Sequence, residues 1–411
     1  MKSIGITCLA VMLLGQGVGR AQEKAAASRA GAIAEQAVTL EKQDEFSKAE
    51  AGWKSLVLLE PRNGQAYAHL GLLEARQEHY TEAIAHYRKA QVLAQAQGHE
   101  IPELTLDLGL ALFKSGEFQE AGKIFESDLR KHPHSADAQR LTSLAAMSEY
   151  GAHRYGAAIP YLKDAVAGDS RNLTLLLTLA HCYLWTKQLD ATMSVYKQIL
   201  EIDPNSAAAD MIAGEALDEK GDNAGSVQQF REAVKANPRE PNVHFGLAYL
   251  YWTQKRYDEA IPEFKAELEN DPKNYQAMIY LGDTYVKQNN FAMAKPLLEQ
   301  AMQYRLPVAL IHLDMGIVLM ETGDRDGAIE QFTKTVAMEP NNVNAHFRLA
   351  SLYRSMGKKA EASAEYAKAS TLNKQRDESL HQRIADANMR PEGSKPDVPA
   401  KPDATAQPGP Q

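Results

Sequence analysis

The chain has two cysteines in 411 residues, and one of them, Cys8, falls in an apolar stretch at the N-terminus. If that stretch is a leader, Cys182 is the only thiol of the mature chain, and neither a disulfide framework nor a cysteine-based zinc site can be built. Positive charge is also short: 45 Lys+Arg stand against 53 Asp+Glu, a net charge of -8. A partner neutralised through a basic surface, nucleic acid above all, is therefore not expected. Catalytic signatures are missing too. There is no H-E-x-x-H, no G-x-S-x-G and no G-x-x-x-x-G-K-[ST], and the glycine-rich Gly15-Gln16-Gly17-Val18-Gly19 lies in the leader with no strand or helix to frame it.

What is present is enough apolar material for a large core, 44% hydrophobic with 24% charged, which excludes wholesale disorder. The N-terminus reads as a secretory signal peptide over Met1 to Ala21. Lys2 supplies the early charge, Ile4 to Leu14 an apolar run of eleven residues, and Gly19-Arg20-Ala21 a small-x-small cleavage site. That run is shorter than the roughly 20 residues a spanning helix needs, so no integral membrane span is expected after cleavage. Cys8 precedes the end of the apolar run, where a lipidation cysteine should follow it, and is read as filler. The expected address is exported: periplasmic or extracellular, in association with an envelope. At the other end, Pro391 to Gln411 mixes proline, glycine, alanine and charge without periodicity and is expected to be a flexible tail.

Between the ends the sequence repeats. Small residues recur at Ala49, Ala83, Ala121, Ala158, Thr192, Ser226, Ala260, Ala294, Ala328 and Ala362, with spacings of 34, 38, 37 and then 34 throughout. Four residues after each stands a large side chain: Trp53, Tyr87, Phe125, Leu162, Tyr196, Phe230, Phe264, Leu298, Phe332 or Tyr366. Pro61, Pro133, Pro204, Pro238, Pro272 and Pro340 follow at a fixed offset as helix-stop signals. Twelve residues before the small position comes another: Ala37, Gly71, Gly109, Ala180, Gly214, Ala248, Gly282, Gly316 and Ala350, with the fourth unit ambiguous between Ala145 and Ala146. Two small positions twelve apart, each in an i, i+3, i+4 apolar pattern, describe a hairpin of closely approaching helices. Gly116, Gly221, Gly323 and Gly357 fall in the turns between them.

In residue type and spacing this resembles the tetratricopeptide repeat (TPR) family over roughly Ala30 to Lys374, about ten units. Extra residues around Ala96 to Pro102 and Ser135 to Arg154 are the local departures. The resemblance implies an all-α solenoid, a right-handed superhelix with first helices lining a concave groove and second helices on the convex back. The expected organisation is a signal peptide (1–21), a lead-in (22–29), the solenoid (30–374), a terminal helix over 375–390 with Leu380, Ile384 and Ala387 covering the last open face, and the tail (391–411).

By the same resemblance the groove is lined by the second, fifth, ninth, twelfth and thirteenth positions of each first helix. These give Leu177, His181, Leu184 and Trp185 in the fifth unit and Glu215 and Asp218 in the sixth. Phe245, Tyr249 and Trp252 follow in the seventh, Ile279, Asp283 and Val286 in the eighth, and Ile317 and Met320 in the ninth. Such a lining, aromatic and aliphatic beside acidic spots, suits an extended peptide or amphipathic helix with apolar and basic side chains. Packing between neighbouring first helices is the competing explanation for any one ring, and weakest for Trp185 and Trp252. The cationic clamp some family members use for carboxylate tails is absent, since its positions hold Ala68 and Leu72, Leu106 and Leu110, or Phe245 and Tyr249. His132-Pro133-His134 has no further metal ligand at a recognised spacing, and His99-Glu100 lies in an insertion. No catalytic, cofactor-binding or metal-ligating residue is assigned. The expectation is a non-enzymatic protein-binding scaffold of an envelope assembly or secretion complex. The alternative is a glycan binder, in which Trp185, Tyr249 and Trp252 stack on sugar rings and Asp218 and Asp283 accept hydroxyl hydrogen bonds.

Overall fold

A computed structural model of the chain describes residues 28–101 and 103–388. The leader, most of the lead-in and the proline-rich tail lie outside the described residues. Within them the chain is helical throughout, in two compact units. Unit 1, up to Ala236, holds six hairpins: α1 (28–42) with α2 (Phe46–Leu59), α3 (Gly64–Arg76) with α4 (Tyr80–Gln97), α5 (Leu104–Lys114) with α6 (Phe118–Lys131), α7 (Ala138–Gly151) with α8 (Tyr155–Gly168), α9 (Leu173–Trp185) with α10 (Leu189–Ile202), and α11 (Ala207–Glu219) with α12 (Asn223–Ala236). Unit 2, from Asn237, holds four: α13 (Val243–Thr253) with α14 (Tyr257–Asn270), α15 (Tyr275–Lys287) with α16 (Phe291–Gln303), α17 (Ala309–Glu321) with α18 (Arg325–Met338), and α19 (Val343–Ser355) with α20 (Lys359–Asn388).

The helices pair because a large side chain of the second enters a notch in the first. A Cβ added to Gly71, Gly109, Gly214 or Gly316 would stand 2.6 to 2.7 Å from the ring of Tyr87, Phe125, Phe230 or Phe332, and one on Gly282 would stand 2.9 Å from Leu298. The first small position thus faces the large residue sixteen positions on rather than the second small residue. The second small positions, from Ala49 to Ala362, are buried in turn against the core.

Each hairpin turns through one left-handed residue. With the first small residue counted as the eighth position, the fifteenth has positive φ in all ten: Gly116, Gly221, Gly323 and Gly357 as expected, but also Asp44, Glu78, His153, Lys187, Lys255 and Asn289. The same rule settles the fourth unit, because His153 at the fifteenth position makes Ala146 the eighth. The proline signals prove to be half of a stop-and-start device. Asn63, Asn274 and Asn342, two residues after Pro61, Pro272 and Pro340, cap the next first helix by accepting the N–H of Ala66, Ala277 and Ala345 at 3.0 Å.

The terminal helix expected over 375–390 is not a separate element. With no glycine or proline between Lys359 and Asn388 to stop it, α20 runs straight through, and residues 374–379 are exposed. Pro160, Pro262 and Pro296 sit deeper than a first-turn proline, each the sixth residue of its helix, so each forfeits one intrahelical hydrogen bond.

The notch makes a direct prediction. Gly316→Ala should lower stability by about 1–3 kcal/mol through overpacking against Phe332. Gly323→Ala, where the added atom meets open space at φ +93°, should lower it by about 1 kcal/mol through backbone strain alone. Urea denaturation of both variants decides, and an unchanged midpoint for Gly316→Ala would refute the notch.

Candidate partner-binding surface

The first helices of each unit present one face built by a regular relay between neighbours. A residue at the twelfth position of one repeat meets the ninth of the next, 31 residues on: Tyr150 Oη lies 3.0 Å from His181 Nδ1, and Trp252 Nε1 donates to Asp283 Oδ2 at 2.6 Å. A ninth position meets the sixth of the next, again 31 on: Thr178 reaches Met147, and the Tyr280 ring stands edge-on to Tyr249 at 5.2 Å.

In unit 1, Trp185 is 37% exposed and stacks on Tyr155, ring centroids 5.6 Å apart and planes 21° from parallel. Leu177 and His181 are half-buried, and Leu184 is buried. Burial pushes His181 below the ordinary histidine value, so the ring is neutral beside Tyr150. On α11, burial first and then the charges of Asp218 and Glu219 push Glu215 up to about 7, against a smaller opposing pull from Lys187. Lys187 is itself paired with Glu219 at 2.7 Å.

In unit 2 the lining is more heavily self-occupied. Phe245 stacks on Tyr249 at 6.1 Å and Tyr249 on Trp252 at 5.7 Å, while Tyr280 closes the cluster edge-on to Trp252 at 4.9 Å. Glu267, itself buried, positions α13 beneath them. Its carboxylate accepts the N–H of Asn242 at 3.2 Å and of Phe245 at 3.1 Å, where the left-handed Asn242 offers no cap of its own. Phe245, Ile279, Asp283, Val286 and Ile317 are buried, whereas Tyr249, Trp252 and Met320 are half-buried. The surface expectation is therefore corrected for the buried residues, and for Leu184 in unit 1. Tyr280 lies against Phe245, Trp252 bonds Asp283, and packing against Tyr280 also accounts for Trp252. Asp283 has no exposed surface to offer a sugar hydroxyl.

One exposed ring was overlooked. Phe347, 55% exposed, takes the fifth position of the tenth repeat and meets Tyr366 edge-on at 5.6 Å. Counting back from Ala350 finds it by the same register that found Phe245. Among the described residues no group of three His, Cys, Asp or Glu is placed to hold a metal ion, and no helix is long and apolar enough to cross a membrane. His132 bonds Asp128 at 3.0 Å instead. A depression of about 730 Å³ lined by Glu60, Arg62, Gln65, Gln97 and His99 lies where the loop before α3 meets the end of α4.

Two family models described as tetratricopeptide repeat match the chain, one over 35–99, 106–149 and 213–275, the other over 149–216, 252–305 and 319–384. The chain belongs to the tetratricopeptide repeat family. Proteins of this family act as scaffolds for protein–protein interaction. Anaphase-promoting complex subunit 3 of Schizosaccharomyces pombe is 21% identical over 63% of this chain and 38% of its own length. The peroxisomal targeting signal receptor of Komagataella phaffii is 24% identical over 47% of this chain and 34% of its own. The chain thus spans less than half of either relative. Among solved structures, a tetratricopeptide repeat protein from Parabacteroides merdae aligns over 61% of this chain and 97% of its own, at 18% identity and a TM-score of 0.45.

Glu215 sets a pH dependence. Its folded value lies above its unfolded one, so the folded state holds the extra proton. The stability this contributes is full below about pH 4.5 and lost as pH rises to about 7. Glu215→Gln should remove that part of the slope and exceed the native chain in stability by about 3 kcal/mol at pH 8. Thermal melts of both proteins from pH 4 to 8 measure the difference, and parallel curves would reject it.

Proposed function

We propose that this protein is a non-enzymatic scaffold of an exported, envelope-associated assembly, and that its first-helix faces take an extended or helical peptide carrying apolar and basic side chains. The observation that carries this reading is the placement of uncovered large side chains on those faces. Trp185 is exposed on its Tyr155 platform, with Met320 half-buried and Phe347 exposed in the other unit. A hydrophobic anchor needs an open ring face, and a rigid stacked platform lowers the entropic cost of using it. The acidic cluster of Glu215, Asp218 and Glu219, which carries more negative charge than Lys187 offsets, supplies the complement to a basic side chain. Support for export comes from the run Ile4 to Leu14 and the Gly19-Arg20-Ala21 site. A relative named as a targeting signal receptor is in keeping with recognition of a peptide.

The test places a photo-crosslinking residue at position 185 or 347, or at the exposed second-helix site Val92, in cells making the full chain. Crosslinks to a defined protein from 185 or 347 and none from 92 are expected, and Trp185→Ala should weaken binding of that partner about tenfold or more. Equal yield from all three sites would remove the first-helix face from the mechanism. Heat on titration with envelope polysaccharide, lost in Trp185→Ala, would replace the peptide with a glycan. An alkaline phosphatase fusion after residue 30 that stays inactive would reject export.

A further inference from the structure

Beneath the unit 2 face, three successive first helices are joined by a polar chain that the binding reading does not use. Trp252 of α13 donates to Asp283 of α15 at 2.6 Å. Asp314 of α17 stands at the sixth position, 31 residues on, the step by which the same relay brings Thr178 to Met147 and Tyr280 to Tyr249, and the charge of Asp283 acts on it. Both aspartates have 0% exposure. Neither oxygen of Asp314 receives a hydrogen bond from any N–H or O–H among the described residues. Two ionised carboxylates cannot occupy such a site, because burial and mutual repulsion both oppose the second charge. A single proton resolves the contact: the Asp314 hydroxyl donates to Asp283, which also faces the donors of Trp252 and Lys287.

Two cations face the pair, Lys287 and Arg348, and both pull on Asp314. Lys287 Nζ, one turn along α15, stands 3.2 Å from Asp283 Oδ1 and is also felt by Tyr257 of α14. Tyr280 lies beside Asp283 on α15. Arg348 of α19 attracts Asp314 but is shared with Glu321 of α17. Desolvation outweighs these pulls and holds Asp314 well above the usual carboxylate range.

We propose that Asp283 and Asp314 share one proton and form a pH-operated clasp that joins the first helices of the seventh, eighth and ninth repeats and holds Trp252 in place. Raising the pH removes the Asp314 proton, turns a hydrogen bond into a repulsion between α15 and α17, and loosens the acceptor of Trp252. The sign follows from linkage. Stability from the clasp is complete below the ordinary carboxylate value of about 4 and falls as pH rises toward the folded value of Asp314. Coupling of this clasp to binding rests on the peptide reading above, but the clasp itself does not.

The full chain is made with 5-fluorotryptophan, and its three tryptophans are assigned by Trp→Phe variants. The fluorine resonance of Trp252 is then followed with pH. A single transition above pH 4 is expected for the native chain and none for Asp314→Asn, which keeps a neutral donor at all pH. A Trp252 resonance that stays flat from pH 4 to 10 would overturn the clasp, as would a transition that persists in Asp314→Asn. The native titration decides alone if the variant does not fold. Affinity for the crosslinked partner, measured across the same transition, reports coupling separately. An unchanged affinity beside a titrating Trp252 would confine the clasp to stability.

Discussion

A steric fit underlies the rest of this structure: the ring of a second helix lodged where the first helix has no side chain. With Phe332 against Gly316 or Phe230 against Gly214 there is no room for even a methyl group, so the two axes of a hairpin are brought close and their rotation about each other is fixed. Fixing that rotation decides which residues every first helix turns toward its neighbours. The 31-residue relay from twelfth to ninth and from ninth to sixth position follows from it. A change of notch would move the partner surface and the buried clasp together, even though neither touches the notch.

The all-α solenoid was legible because its signals are periodic and redundant. A small residue, a large one four later and a proline beyond them each report the same phase, and a missing member is supplied by the others. The turn was less legible. A left-handed residue is expected where glycine stands, but Lys187, Lys255, Glu78 and His153 carry no such mark, and each accepts roughly 1–2 kcal/mol of strain because the packed helices on either side demand the same turn. The fourth repeat escaped for a related reason: Ala145 and Ala146 are both small and both fully buried, so size could not distinguish them, whereas the turn at His153 could.

Depth was the part of the surface that position alone could not give. The register puts Phe245, Ile279 and Asp283 on one expected face, and all three are buried there. Whether a side chain there is reachable depends on the sixth position of the following repeat, and Tyr280 and Asp314 were not read as covers. Adding 31 to each ninth position would have found them. Histidines illustrate the same point from the other side. His244 with Glu263 at 2.6 Å and His312 with Gln331 at 2.7 Å repeat one clasp, first helix to second, nineteen residues apart. His346 and Glu365 form it again in the tenth hairpin. Their spacing reports hairpin packing rather than ligand chemistry.

Phe245 and Phe347 share the fifth position of their repeats, and within unit 2 they separate core from surface. Phe245 meets Tyr280 of the next first helix at 5.9 Å and is 6% exposed; α19 is the last first helix among the described residues, and Phe347 is 55% exposed. The same residue type at the same register is core in one repeat and surface in the other, because what differs is the neighbour and not the residue. Trp185 extends the principle within unit 1: at the thirteenth position, beyond the relay of ninth and twelfth, it rests on Tyr155 of the preceding hairpin and keeps an open side. On the proposed reading, binding uses the places where the relay ends or is stepped around, and the buried relay positions are left to hold the stack, as Asp283 and Asp314 do.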